Sequence, residues 1–266
     1  MSDAINELGA EVPQPQEGFE VVYQRPNSLN DVQFTYCPGC QHGQVHKCIA
    51  EAIDELGIKD RMIGMAPVGC SVFAYWFFDF DFISCAHGRA PAVATGIKRA
   101  DPESIVLSYQ GDGDLASIGA AEIVHAANRG EQITVVFINN AIYGMTGGQM
   151  APTSLEGMVT STSPRGRDAE IAGKPIHVVE MLSTLSGVAY AERTTAHDPK
   201  GLIKTKKAIK KAFEYQMDRL GFTIVEVLCG CAINTRRTPK DSAAWVGEAM
   251  NEQFKVGVYK DIKEEG

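Results

Sequence analysis

The sequence predicts an α/β fold, a parallel sheet with helices on both faces, and three observations predict it. Residues 104–109 and 133–139 are short, almost wholly apolar runs, the signature of strands buried on both sides. Between them lie the turn Gly111-Asp112-Gly113-Asp114 and an alanine-rich helical stretch, 115–128, completing a strand–turn–helix–strand unit of the kind that joins parallel strands. The alternation then runs on to residue 228.

In chain order, residues 1–30 read as an extended arm, with Pro13, Pro15 and Pro26, scattered charges and no periodicity, and residues 31–266 as one domain. Residues 43–56 carry Val45, Cys48, Ile49, Ile53 and Leu56 at helical spacing. A short apolar run follows at 62–65. The richest apolar run, 72–83, is interrupted by Asp79 and Asp81 and is too short to span a bilayer. Residues 89–99 are small and helical in character. Beyond Gly148, a segment to about residue 174 is rich in Ser, Thr, Gly and Pro, and a loop this long in a compact domain is usually functional or mobile. Helix (176–185), strand (188–191), helix (202–220) and strand (223–228) complete the pattern, and from Asn234 onward the tail is charged.

Composition bounds the function. A hydrophobic content of 44% supplies a core, and a net charge of −8 with a pI near 5.3 argues against a reader of nucleic-acid backbones. The first 17 residues are polar and acidic, without the apolar segment of a signal peptide, so the expectation is a cytoplasmic protein with no membrane association. Seven cysteines in that compartment point to metal binding, redox chemistry or burial rather than disulfides.

The glycines of Gly111-Asp112-Gly113-Asp114 let the backbone turn tightly, and the helix that follows offers free N–H groups to an anion. A carboxylate beside a phosphate repels it unless a divalent cation lies between. Mg²⁺ accepts a carboxylate, neutral oxygens and phosphate oxygens together. Asp112 is placed to be that carboxylate, and Asn139 and Asn140, at the next strand's end, offer neutral oxygens. Alone, Gly-Asp-Gly would be turn and capping chemistry. Followed one helix and one strand later by Asn-Asn, it resembles the thiamine-diphosphate motif of the diphosphate-binding domain. The resemblance implies that Asp112, the Asn140 side chain and the Ile142 carbonyl ligate Mg²⁺, with Gly111, Gly113 and Asp114 against the diphosphate. Residues Gly144, Met145 and Thr146 continue the loop over it, while Asn139 ties down the strand end.

Cys37-Pro38-Gly39-Cys40 opens a helix and admits three readings: half a zinc site, a redox dithiol, or half an iron–sulfur site. Cys48 lies in the apolar stripe of its helix and reads as core. Cys70 sits in a turn that frees its sulfur. Cys229 and Cys231 both follow a buried strand, and Cys85 is ambiguous.

Taken together, Tyr36–Cys40, Gly69-Cys70-Ser71, His87-Gly88-Arg89, Gly111–Asp114 and the 139–149 segment resemble the β subunit of 2-oxoacid:ferredoxin oxidoreductases, across most of residues 36–231. That resemblance implies a [4Fe–4S] cluster on Cys37, Cys40, Cys70 and one of Cys229 or Cys231, with Cys231 chosen by its distance beyond the strand. Gln41 stands where many relatives have glycine, a departure beside the ligands. Ser71 and His87 would line the cofactor site, His87 with a substrate role or a structural hydrogen bond. His42 caps the helix after the cluster, with a role at the site and a plain solvent-facing helix start both open. The implied activity is oxidative decarboxylation of a branched-chain 2-oxoacid or 2-oxoglutarate, with coenzyme A taking the acyl group and the cluster passing electrons on. The implied partners are an α subunit carrying the pyrimidine domain, and a ferredoxin-like subunit or free ferredoxin. The competing readings are a non-redox thiamine-dependent decarboxylase or carboligase, and a zinc-stabilised non-catalytic subunit.

Overall fold

The structure, a computed structural model, describes residues 18–264. Its strands are β1 (Met62–Ala66), β2 (Asp81–Ser84), β3 (Ile105–Gly111), β4 (Thr134–Asn139), the two-residue β5 (Ile142–Tyr143) and β6 (Gln149–Met150), β7 (Val188–Thr195), β8 (Phe222–Leu228) and β9 (Gly257–Asp261). Seven of them form one sheet in the order β2-β1-β3-β4-β8-β7-β9, parallel throughout except for β9. The helices are α1 (His42–Leu56), α2 (Ala74–Phe77), α3 (Ala90–Ala100), α4 (Ala120–Asn128), α5 (Ala169–Ala172), α6 (Val178–Ser183), α7 (Pro199–Met217), α8 (Ala232–Thr235), α9 (Pro239–Trp245) and α10 (Asn251–Gln253).

The central strands carry buried residues on both faces, as β3 and β4 promised. On one face, Val45, Ile49 and Ile53 of α1 and Ile209 and Phe213 of α7 pack against Leu107, Tyr109 and Val136. On the other, α3, α4 and α6 bring Ala94, Ile123 and Val179 onto Val106, Val135 and Ile224. Each such aliphatic or aromatic side chain taken out of water contributes roughly 1.5–3 kcal/mol. The long helix α7 starts cleanly because the Asp198 carboxylate accepts the Gly201 N–H at 2.6 Å and Pro199 occupies the first turn.

Two expectations change, and two stretches to which the sequence assigns no element acquire them. The predicted helix over 115–128 opens as one π-helical turn, Asp114–Ile118, and α4 begins only at Ala120. A Cβ at Gly119 would stand 2.8 Å from the Gly88 carbonyl oxygen, so the chain gives way where the two loops touch. The 188–191 strand runs on to Thr195, because Glu192 and Arg193 find partners beside the sheet. The charged tail is ordered: α8, α9 and α10 lead to β9, which pairs antiparallel with β7. The apolar run at 72–83 divides into α2 and the edge strand β2.

Of the arm, residues 1–17 lie outside the described residues. Further on, Leu29 is buried and bridges Phe78, and Asn30 donates its N–H to the Phe77 carbonyl at 2.8 Å.

Candidate active site

Five segments leave the carboxyl ends of parallel strands on one side of the sheet: Cys70-Ser71 after β1, His87 after β2, Asp112-Gly113-Asp114 after β3, Asn140–Ile142 after β4 and Cys229–Cys231 after β8. That is where parallel sheets place ligands. Ser71, His87, Gly111, Asp112, Gly113, Asp114, Asn140, Ile142, Gly144, Met145 and Thr146 all border a single cleft there.

Asp112 is buried, and its carboxylate accepts the Gly113 N–H at 2.8 Å, the Thr153 hydroxyl at 2.8 Å and the Ile142 N–H at 3.2 Å. No cationic side chain among the described residues pairs with it, and burial pushes it up to about 6 against those hydrogen bonds. A buried, unpaired carboxylate is costly, and a divalent cation at this spot removes the cost. The donor set beside it suits Mg²⁺: the Asn140 side chain and the Ile142 backbone belong to the same turn. Asn140 Oδ1 lies 3.3 Å from the Ile142 N–H.

That turn is strained and braced. Ala141 takes φ 61°, an unfavourable region for a residue with a Cβ. Asn139 accepts the Ala141 N–H at 3.1 Å and donates its own amide to Glu226 at 2.7 Å. Behind Glu226 stands Arg193, fully buried, its guanidinium on Glu226 at 2.9 Å and on both oxygens of Glu180 at 2.8 and 2.5 Å. Asn139 is thus a structural brace. Gly113 is required for a different reason: a Cβ there would stand 2.2 Å from the Tyr143 ring, whose hydroxyl donates to the Gly113 carbonyl at 3.3 Å.

Asp114 is engaged from every side. It meets the His87 ring at 2.5 Å, the Gly88 N–H at 2.6 Å and the Gln110 amide at 2.6 Å. It therefore fixes the His87 turn through Nδ1, and Nε2 is the ring nitrogen left for another partner.

The cysteines divide. Cys229 is buried in the core under α1 and α7, and burial raises its thiol well above the usual range. Cys48 and Cys85 are likewise core residues. Cys37, Cys40, Cys70 and Cys231 stay nearer the surface and close enough to feel one another: burial, and after it the neighbouring sulfurs, push Cys40 up to about 12 and Cys70 up to about 11. A Cβ at Gly144 would stand 3.4 Å from Cys70 Sγ and 3.7 Å from Cys231 Sγ, so the loop from the Asn140 turn runs directly against both sulfurs. Among the described residues, no three His, Cys, Asp or Glu side chains converge as a single metal ion requires. An iron–sulfur cube takes its thiolates on four separate iron corners, and four cysteine sulfurs are the donor chemistry such a group needs.

His42 does not face solvent. It is buried with Nδ1 2.6 Å from the Tyr109 hydroxyl, and burial lowers it to about 4. Gln41 beside it is buried too, donating to the Ala196 carbonyl at 3.0 Å and accepting the Gly230 N–H at 2.7 Å. Thr153, Glu226, Arg193 and Asn234 were not singled out from the sequence. Only Thr153 carried a signal, its place in the long Ser- and Thr-rich loop.

A family model, thiamine pyrophosphate enzyme, C-terminal TPP binding domain, matches residues 67–227. The chain is 48% identical over 250 residues to ketoisovalerate oxidoreductase subunit VorA of Methanothermobacter thermautotrophicus, covering 90% of this chain and 52% of that protein. It is 38% identical over 206 residues to 2-oxoglutarate synthase subunit KorB of Archaeoglobus fulgidus, covering 77% of this chain and 73% of that protein. A solved 2-oxoglutarate:ferredoxin oxidoreductase from Magnetococcus marinus, with 2-oxoglutarate, coenzyme A and succinyl-CoA bound, superposes with a TM-score of 0.73 at 28% identity, over 91% of this chain and 86% of that one. The chain spans about half the length of its VorA relatives, 52% and 53%.

Proposed function

Because the chain belongs to the 2-oxoacid:ferredoxin oxidoreductase family, as a subunit of the 2-oxoisovalerate/2-oxoglutarate type, we propose that it supplies the diphosphate-binding half of an active site that oxidatively decarboxylates a 2-oxoacid to its acyl-coenzyme A. One observation carries the reading: Gly144, two residues past Ile142, packs against the sulfurs of both Cys70 and Cys231. Diphosphate chemistry and a cysteine cluster meet within one loop, the arrangement that separates oxidative from non-oxidative decarboxylation.

When bound, thiamine diphosphate supplies the carbon nucleophile and electron sink for loss of CO₂, and a [4Fe–4S] cluster accepts the electrons singly. This chain's residues do the rest. Asp112, the Asn140 side chain and the Ile142 carbonyl hold Mg²⁺ against the diphosphate, and Gly113 lets the backbone approach it. Ser71, Met145 and Thr146 border the cofactor. Cys37, Cys40, Cys70 and Cys231 carry the cluster. His87, held at Nδ1 by Asp114, presents Nε2 to a proton at the substrate. Val68 and Met145 in the cleft suit a branched aliphatic side chain, which ranks branched-chain 2-oxoacids ahead of 2-oxoglutarate. Both side chains are also exposed, which suits an α subunit bringing the pyrimidine domain over the cleft. A ferredoxin-like subunit or free ferredoxin takes the electrons. No helix among the described residues is long and apolar enough to cross a membrane, and seven free cysteines suit the cytoplasm.

The test is anaerobic purification with metal analysis, EPR after dithionite reduction, and viologen reduction by the assembled complex over several 2-oxoacids. Expected are four irons per chain, a [4Fe–4S]¹⁺ signal and the fastest turnover on a branched-chain 2-oxoacid. Zinc without thiamine diphosphate would make the chain a binding subunit. Thiamine diphosphate without iron would make it a non-redox decarboxylase.

A further inference from the structure

Asn234 is an amide aimed at a sulfur. It lies in α8, three residues after Cys231, and its Nδ2 is 2.7 Å from the Gly144 carbonyl oxygen and 3.3 Å from Cys231 Sγ. Since Gly144 offers an acceptor, only the nitrogen end of the amide can face it, which fixes the orientation. An amide nitrogen has two hydrogens. One satisfies the carbonyl, and the other is directed at the sulfur. Gly148 closes the amide in, since a Cβ there would stand 3.1 Å from Asn234 Oδ1. The same side chain thus touches the loop over the diphosphate site at two places and the last cysteine of the cluster set at a third.

We propose that Asn234 is a positioning residue that raises the reduction potential of the cluster and fixes its distance from the cofactor loop. The inference rests on the reading above that Cys231 is a ligand. Reduction adds one electron to the cluster, from dithionite in the test below, and breaks no bond. The added negative charge spreads onto the thiolate sulfurs. A donor N–H therefore stabilises the reduced form more than the oxidised one, and hydrogen bonds to sulfur are among the levers that set such potentials. A residue that merely propped the loop would, once removed, cost iron and let water in, which favours the more negative reduced cluster and raises the midpoint, so a lowered midpoint separates the donor role from a structural one.

The experiment uses the full chain with Asn234→Leu and Asn234→Ala, purified anaerobically, with iron and sulfide counted and the EPR signal titrated against potential. EPR reports only molecules that carry a cluster, so partial loss does not blur the midpoint. The expected result is a midpoint lower by about 59 mV, the one-electron equivalent of a tenfold shift in the reduced-to-oxidised ratio. An unchanged or raised midpoint overturns the proposal. So does loss of all iron from both variants, which would make Asn234 a structural support. Two controls separate this from the functional reading. No [4Fe–4S] signal in the unmutated chain defeats that reading itself. A signal and full iron content retained in Cys231→Ala, which has no donor atom, defeat only the ligand assignment, and this inference with it.

Discussion

Asp112 has exchanged water for three protein donors, and only one of them is a side chain. Thr153 Oγ1 is that donor, contributed from the long loop 41 residues further along the chain. Removing the charge by Asp112→Asn takes away what the cation needs, and Mg²⁺-dependent thiamine diphosphate binding falls beyond detection by calorimetry on the assembled complex. Thr153→Val keeps the charge but frees the carboxylate to turn. Loss of such a supporting hydrogen bond weakens metal affinity by about 10–100-fold. Undiminished binding in Asp112→Asn would remove the metal site from the reading. The two residues also differ in legibility. Gly-Asp-Gly followed by Asn-Asn marks Asp112 by local spacing alone, whereas nothing local to Thr153 says that its loop folds back over the strand end.

At the scale of elements, the turn after β4 is braced from behind by α6, β7 and β8 through Glu180, Arg193 and Glu226. Arg193→Ala would leave two carboxylates without their cation, one of them wholly buried, and costs about 3–5 kcal/mol in denaturant unfolding. The brace also predicts a pH dependence. Burial alone would raise Glu180, but hydrogen bonds from Arg193 and His177 hold it down to about 2 against an ordinary 4.5. A depressed carboxyl stabilises the fold above its unfolded value, and that contribution is lost as pH falls from about 4.5 to about 2. Glu180→Gln should therefore flatten the fall of stability across that window, and an unchanged slope in acid denaturation would dismiss the pair. The sequence reading places this strand over 188–191, short of Glu192 and Arg193, two charged residues that a buried strand seldom carries unpaired. Arg193 is neutralised inside the molecule, and β9, Gly-Val-Tyr-Lys-Asp, carries no alternation of its own and becomes a strand only with β7 beside it.

For the whole molecule, the order of elements was legible and their juxtaposition was not. Buried strands, Gly-rich turns and helices announce a parallel sheet, and such sheets gather ligands at their carboxyl ends. The strand order brings the β1, β3 and β8 loops to one place, and no spacing along the chain says so. The choice of Cys231 came from family likeness. In space, Cys229 belongs to the core and Cys231 stands beside Gly144. The cleft is open on the side of Val68 and Met145, so the chain alone should bind iron yet reduce no viologen with any 2-oxoacid. Titrating in the pyrimidine-domain subunit should bring activity to a plateau at a fixed stoichiometry, and turnover by the isolated chain would refute a shared site.

The Gln41 amide joins the segment of Cys40 to Gly230, 189 residues along the chain from Gln41, by a hydrogen bond that needs no iron. On the proposed ligand set, that contact ties two of the sulfur-bearing segments together independently of any cluster, so a cluster lost to oxygen should be restorable by refilling rather than by refolding. A chain bleached in air and then reduced should regain its colour with iron and sulfide alone, and Gln41→Ala should regain it more slowly.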